Sequence, residues 1–264
     1  MKIESKLPNI GTTIFTRMSA LAGECGALNL SQGFPDFDAP EGLREAMARH
    51  VMAGNNQYAP MAGVMALREQ IAAQLALHRN ISCNPDSEIA VVPGATEGIF
   101  CAVMACVRPG DEVIVFDPCY DSYQPSVELA GGRVIHVPLT AHQFALDRNA
   151  LEAALSKRTR LVMINSPHNP SGSTLSQDDL LYLEALVEEH NLLVISDEVY
   201  ERLVYDGQVH HSVLQYPALR ARSFALFSFG KTFSVTGWKP AIAWRPQPLP
   251  LSCAKSTSLS ALWR

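Results

Sequence analysis

The apolar run from Phe224 to Phe229 reads as a buried strand of a parallel sheet, and it leads into Ser228-Phe229-Gly230-Lys231-Thr232. That spacing sets a lysine just past the carboxyl end of a strand, the edge where open α/β sheets bind ligands. A lysine held there among apolar neighbours is desolvated, which disfavours its ammonium form and leaves a nucleophilic amine. Gly-Lys-Thr also ends the phosphate-binding loop motif, but that motif requires glycine at position 225, where Ala225 stands. An ordinary solvated lysine remains open on this segment alone.

Four further features fall at the ends of expected strands. They are Gly94-Ala95-Thr96, a turn into a helix; the tyrosines Tyr120 and Tyr123; Asn169-Pro170 in a proline loop; and Asp197-x-x-Tyr200. Taken singly, each has a bland reading: Gly94 a turn, Asn169 a loop amide, Asp197 a cap or surface charge. Together with Ser228 and Lys231 they supply an anion cradle, a stacking ring, hydrogen-bonding groups, a carboxylate and an amine. Pyridoxal 5′-phosphate offers a counterpart to each: a phosphate, a flat ring, a phenolic oxygen, a ring nitrogen and an aldehyde. The helix behind Gly94 would turn free N–H groups and its positive dipole end to the phosphate. Asp197 would keep the ring nitrogen protonated, as an electron sink requires. Tyr200 and Asn169 would hydrogen-bond the phenolic oxygen, and Tyr120 would stack on the ring. Lys231 would condense with the aldehyde and then carry the proton between Cα and C4′.

The elements that must position these groups alternate along the chain. Strands are expected over 89–92, 113–116, 134–137, 161–164 and 192–195, ahead of the lysine strand. Helices are expected over 41–53, 65–79, 95–107, the segment ending at 130, 148–156 and 177–190. The last of these is capped by Ser176, with Asp178 and Asp179 in its first turn. Such alternation means right-handed βαβ units and a largely parallel sheet. Residues 1–33 read as an arm with little periodicity.

At 264 residues, 47% hydrophobic and 18% charged, the chain can bury a sizeable core in one large or two ordinary domains. A net charge of -5 argues against nucleic acid or an acidic membrane as partner. The opening residues lack the apolar core of a signal peptide, and no run approaches the roughly 18 apolar residues of a membrane span. A cytoplasmic protein is expected. The six cysteines form no CxxC pair and the eight histidines show no ligand spacing, so buried thiols and no metal are expected. Residues 239–264 contain four prolines, four serines and no acidic residue, a composition suited to a surface coil, a disordered end or an out-of-frame reading.

The stretches SQGFPDF, NQYAPMAG, PGATEG, PCYDSY, NSPHNPSG, ISDEVYERLVYDG and SFGKTFSVTGWK follow one another from near residue 30 to Lys239. In order and spacing they resemble the fold type I, class I/II pyridoxal-phosphate aminotransferases, and within them the methionine/kynurenine aminotransferase branch. The resemblance implies an α/β large domain with a mostly parallel sheet over 34–239, an N-terminal arm over 1–33 and an atypical tail over 240–264. It implies that Lys231 carries the cofactor, with Asp197 and Tyr200 beside it. Ser228, Lys239 and the backbone at Ala95 and Thr96 would hold the phosphate. Gly33 and Asn169 would line the substrate. A tyrosine in the position of Tyr58 reaches the phosphate of the neighbouring subunit, which implies a homodimer.

After Lys239 the family continues with a Gly-Tyr-rich antiparallel strand and a C-terminal small domain, and neither is recognisable in this sequence. The family's arginine for the substrate α-carboxylate matches neither Arg245 nor Arg264. The small domain is therefore expected to be missing. The implied reaction moves an amino group from a hydrophobic or sulfur-containing amino acid to a 2-oxo acid. A β-eliminating lyase on the same scaffold and a catalytically silent fragment both stay open.

Overall fold

The computed structural model describes residues 4–8, 10–33 and 35–245. Three helices come first: α1 (Ile14–Glu24), α2 (Glu41–Met52) and α3 (Met65–Arg79). Strand β1 (Ile89–Pro93) leads into α4 (Ala95–Cys106), then β2 (Glu112–Asp117), α5 (Tyr123–Leu129) and β3 (Arg133–Pro138). Next come α6 (Arg148–Ala154), β4 (Thr159–Asn165), α7 (Gln177–Glu189) and β5 (Leu193–Asp197). The chain closes with α8 (Pro217–Arg222), β6 (Ser223–Ser228), the single turn α9 (Phe229–Thr232) and β7 (Pro240–Trp244).

The strands form one sheet in the order β1-β7-β6-β5-β4-β2-β3. The pairs from β6 to β3 are all parallel, whereas β7 runs antiparallel between β1 and β6. Side chains alternate across it, as period-two geometry demands. Ile114, Phe116, Val162, Ile164 and Phe227 pack on one face with Leu151, Leu183 and Leu219 of α6, α7 and α8. Val113, Val115, Leu161, Met163 and Leu226 pack on the other with Ile99 and Val103 of α4 and Val127 of α5. Helix α7 begins with a reciprocal capping box between Ser176 and Asp179, which satisfies two otherwise unpaired backbone donors.

Two expectations are corrected. The segment before residue 33 contains a helix, α1, whose cap Thr13 accepts from the Thr16 N–H. Ile14, Met18 and Leu21 recur at i, i+4 and i+7 and give it an apolar stripe, but none of its residues is buried within this chain. The antiparallel strand after Lys239 is present rather than absent. Pro240 pairs with Pro93 and Trp244 with Ile89 on one side, while Ser228 pairs with Ala241 on the other. Proline at the first position of the strand forfeits no central ladder bond. Ala241, Ala243 and Trp244 are buried to 1% exposure or less, so this segment belongs to the sheet and not to a tail. The remainder of the expected tail, 246–264, lies outside the described residues, as does Arg264.

No disulfide links the described cysteines; Cys101 and Cys106 are buried as expected, but Cys25 is exposed. Among the described residues no helix is long and apolar enough to cross a membrane.

Candidate active site

The carboxyl ends of β4, β5 and β6 converge on a cluster built around Asp197 and Lys231. Asp197 is the last residue of β5, lies opposite Leu226 of β6 and is only 6% exposed. The Tyr123 hydroxyl donates to its Oδ2 at 2.6 Å, and the Val199 N–H approaches Oδ1 at 3.4 Å. Burial lifts the carboxyl from its ordinary 3.8 to about 6, against the pull of these two donors and of the nearby Lys231 charge. No cation forms an ion pair with it among the described residues. Tyr123 is itself buried, and burial together with the adjacent carboxylate holds its phenol well above the ordinary value, so it remains a donor.

The next residue has the opposite fate. Glu198, 1% exposed, points to the other side of the strand and meets a full set of partners. Its Oε1 accepts from Ser196 Oγ at 3.0 Å and the Val213 N–H at 3.1 Å, and its Oε2 lies 2.9 Å from His210 Nε2. Burial works to raise this carboxyl, but the hydrogen bond and charge of His210 hold it below its ordinary value. Of two neighbouring buried carboxylates, Glu198 has an ion-pair partner in His210 and Asp197 has hydrogen-bond donors alone.

Ser228 ends β6 and caps the turn that follows, its Oγ accepting from the Lys231 N–H at 3.2 Å. That turn carries the Lys231 side chain back over the sheet edge, where Nζ lies 5.2 Å from the centre of the Tyr200 ring. Tyr120 and Tyr123 meet edge to face with ring centres 5.8 Å apart.

The loop after β4 is held from two sides. Asn165 donates its side-chain amide to the Asp197 carbonyl at 2.8 Å and accepts from the Asn169 N–H at 2.8 Å. His168 spans Ser171 Oγ (2.7 Å) and the Pro118 carbonyl (2.8 Å). A carbonyl can only accept, so Nε2 carries the proton, and burial lowers the His168 pKa and favours this neutral form. His168 thereby ties the Asn169 loop to the turn that bears Tyr120 and Tyr123.

The start of α4 is uncapped. Its N-cap, Gly94, has no side chain to cap the first turn, so the leading N–H groups at Ala95 and Thr96 stay open to a ligand. Gly94 sits at φ 102, ψ 144, close to the glycine-only region of backbone space. A Cβ placed there would approach the Lys239 carbonyl oxygen at 3.9 Å, an ordinary contact, so the obstacle to a side chain is conformational. Gly94→Ala is expected to lower stability by about 1–3 kcal/mol, read as a fall in denaturation midpoint, and to weaken phosphate-ligand binding with it. Lys239 reaches this corner because β7 pairs Pro240 with Pro93; it is exposed and left-handed at φ 64.

Sequence reasoning named Ala95, Thr96, Tyr120, Asn169, Asp197, Tyr200, Ser228, Lys231 and Lys239, and all of them stand along this sheet edge. Gly33 and Tyr58, the latter expected to reach a neighbouring subunit, are both exposed in the single chain. A Cβ added at Gly33 would meet nothing within 4 Å, and Tyr58 is fully exposed. Arg245, at the end of β7, donates its backbone N–H to the Glu88 carbonyl and takes no part in the cluster. The roles of Tyr123, Asn165 and His168 were not read from the sequence. Each depends on a partner in another element, although all three lie inside stretches already singled out.

The arrangement is therefore a parallel-sheet edge with an open helix N-terminus, a buried carboxylate without an ion-pair partner and an amine. Residues 26–255 match the class I and II aminotransferases. The chain is 50% identical over 252 residues to the methionine aminotransferase of Escherichia coli strain K12, covering 96% of this chain and 65% of the relative. The crystal structure of YbdL from Escherichia coli, described as having a methionine aminotransferase function, superposes with a TM-score of 0.92 at 48% identity. That alignment covers all of this chain and 71% of the other. N-succinyldiaminopimelate aminotransferase from Mycobacterium tuberculosis superposes with a TM-score of 0.91 at 42% identity, covering 96% of this chain and 66% of that one. The chain belongs to the class I and II aminotransferase family. It spans just under two thirds of the length of the Escherichia coli relative.

Proposed function

We propose that the protein takes part in pyridoxal-phosphate-dependent transfer of an amino group from a hydrophobic or sulfur-containing amino acid to a 2-oxo acid. The observation that carries this reading is Asp197, a buried carboxylate with a hydrogen-bond donor but no cation of its own. A protonated ring nitrogen is the partner its chemistry lacks, and pyridoxal phosphate brings one. The remaining donors suit the same group: open N–H groups at Ala95 and Thr96, Ser228 and Lys239 for a phosphate, Asn169 and Tyr200 for a phenolic oxygen, and Tyr120 for a ring face.

Pyridoxal phosphate, when bound, supplies an electron sink for the bonds at the substrate Cα. Asp197 would hold a fixed negative charge for the ring nitrogen, with Tyr123 locking the carboxylate in one orientation. Lys231 would hold the cofactor, and its amine, when free, would take up the proton that leaves Cα and deliver it to the cofactor side of the substrate nitrogen. Its place over the Tyr200 ring keeps that amine close to the cluster.

Methionine as the amino donor is favoured by the Escherichia coli relative, at higher identity than the N-succinyldiaminopimelate enzyme. A homodimer belongs to the same proposal. Tyr58 is 103% exposed, and Leu28, Leu30, Phe37 and Met61 are exposed in the same N-terminal region, so a second subunit would have apolar surface to cover. The decisive assay supplies methionine and a 2-oxo acid and follows the new amino acid. Transfer that depends on added pyridoxal phosphate is expected; elimination without amino transfer would replace this reading with a lyase.

A further inference from the structure

Away from Lys231, at the corner of the sheet where β2 ends beside the edge strand β3, three different donor types converge. A carboxylate oxygen of Asp117, Sγ of Cys119 and a ring nitrogen of His136 all lie within 4.8 Å of one another. The parallel register sets Val115 opposite His136 and Asp117 opposite Pro138, so His136 lies beside the carboxyl end of β2. Its Nδ1 is 3.0 Å from Asp117 Oδ1. Cys119 follows two residues later, where the chain has left the strand. An exposed His–Asp pair alone is an ordinary surface contact. The thiol changes the chemistry, because nitrogen, oxygen and sulfur together make a donor set for a borderline transition ion, whereas magnesium and calcium prefer oxygen alone.

We propose that Asp117, Cys119 and His136 form a binding site for a divalent transition ion of the zinc class, with water in the fourth position. Around such an ion, tetrahedral ligands sit about 3.3–3.8 Å apart for bond lengths near 2.0–2.3 Å. Small side-chain rotations close the observed spacing to that range. The His136 and Asp117 side chains are 41% and 42% exposed, which gives an ion and its water a way in. Among the described residues no second triad of His, Cys, Asp or Glu converges in this manner. The site uses none of the residues assigned to the proposed transfer reaction, although Cys119 adjoins Tyr120.

The test uses the full chain, untagged, reduced and freed of excess pyridoxal phosphate, which itself chelates metals. Cobalt(II) titration is expected to give one saturable equivalent with a thiolate-to-cobalt absorption band that zinc displaces. Cys119→Ser should remove the band, and Asp117→Asn and His136→Gln should each weaken binding by at least about tenfold. Cys25→Ser, at an exposed thiol elsewhere, should leave it unchanged. A readout that needs no variant is alkylation mapped by mass spectrometry, in which zinc should protect Cys119 and leave Cys25 reactive. Absence of saturable binding below millimolar metal, binding of equal strength in Cys119→Ser, or equal alkylation of Cys119 with and without zinc would each overturn the proposal.

Discussion

Lys231→Ala is expected to lower amino transfer by about two to four decades through loss of the proton-transferring amine alone. Loss of the group that holds the cofactor lowers it further. The parent, loaded with pyridoxal phosphate and reduced with borohydride, should carry the label on the peptide containing Lys231. The alternative acceptor is Lys239, the other lysine at this edge, which stands exposed beside Gly94. The physical distinction is position. Lys231 follows a buried strand and is half-buried, with Nζ against the Tyr200 ring, whereas Lys239 faces solvent at the phosphate corner. Arginine at 231 preserves charge but not a nucleophilic amine, so Lys231→Arg should fail equally. Label found on Lys239, or turnover retained by Lys231→Ala, would refute the assignment.

Asp197→Asn should separate function from stability. The carboxyl titrates near 6 in the folded chain against an ordinary 3.8, so the folded state binds this proton more tightly than the unfolded state does. An ionised Asp197 therefore costs stability above pH 6, and the cost fades as pH falls through 6 towards 3.8. Two pKa units correspond to about 3 kcal/mol at neutral pH, an upper bound for what the variant regains. Asparagine keeps one oxygen to accept from the Tyr123 hydroxyl, but its amide nitrogen then faces the Val199 N–H, donor to donor, which holds the gain below that bound. In the absence of cofactor, Asp197→Asn should melt several degrees above the parent at pH 8, with the gap closing below pH 4. Amino transfer should fall steeply in the same variant, because a neutral amide cannot hold a pyridinium charge. A variant no more stable than the parent at pH 8, and within a few-fold of it in rate, would assign Asp197 another part. Stability gained by removing a group is the mark of a residue kept for function.

Much of this protein is written in local pattern. The strands β2, β4, β5 and β6 are centred on continuous apolar runs because a sheet covered on both faces demands them, and the helices between them carry their own starts and stops. Lys231, Asp197 and Asn169 could be placed because each directly follows such a run, where a parallel sheet always presents its ligand edge. Tertiary structure decided what depends on pairing across distance. Tyr123 and Asp197 are 74 residues apart, and nothing in either segment announces the bond between them. The opposite fates of Asp197 and Glu198 follow from strand alternation and from which partners each face meets, above all His210. Strand β7 is short, opens with proline and has little apolar period, so its identity comes from the slot between β1 and β6 rather than from its own residues. That slot in turn brings Lys239 to Gly94. Helix α1 carries an apolar stripe of Ile14, Met18 and Leu21, yet the folded chain buries none of its residues. The meeting of Asp117, Cys119 and His136 arises the same way, from the register of two adjacent strands. Local pattern reports burial and turn chemistry along the chain; only the folded sheet determines which distant residues share a corner.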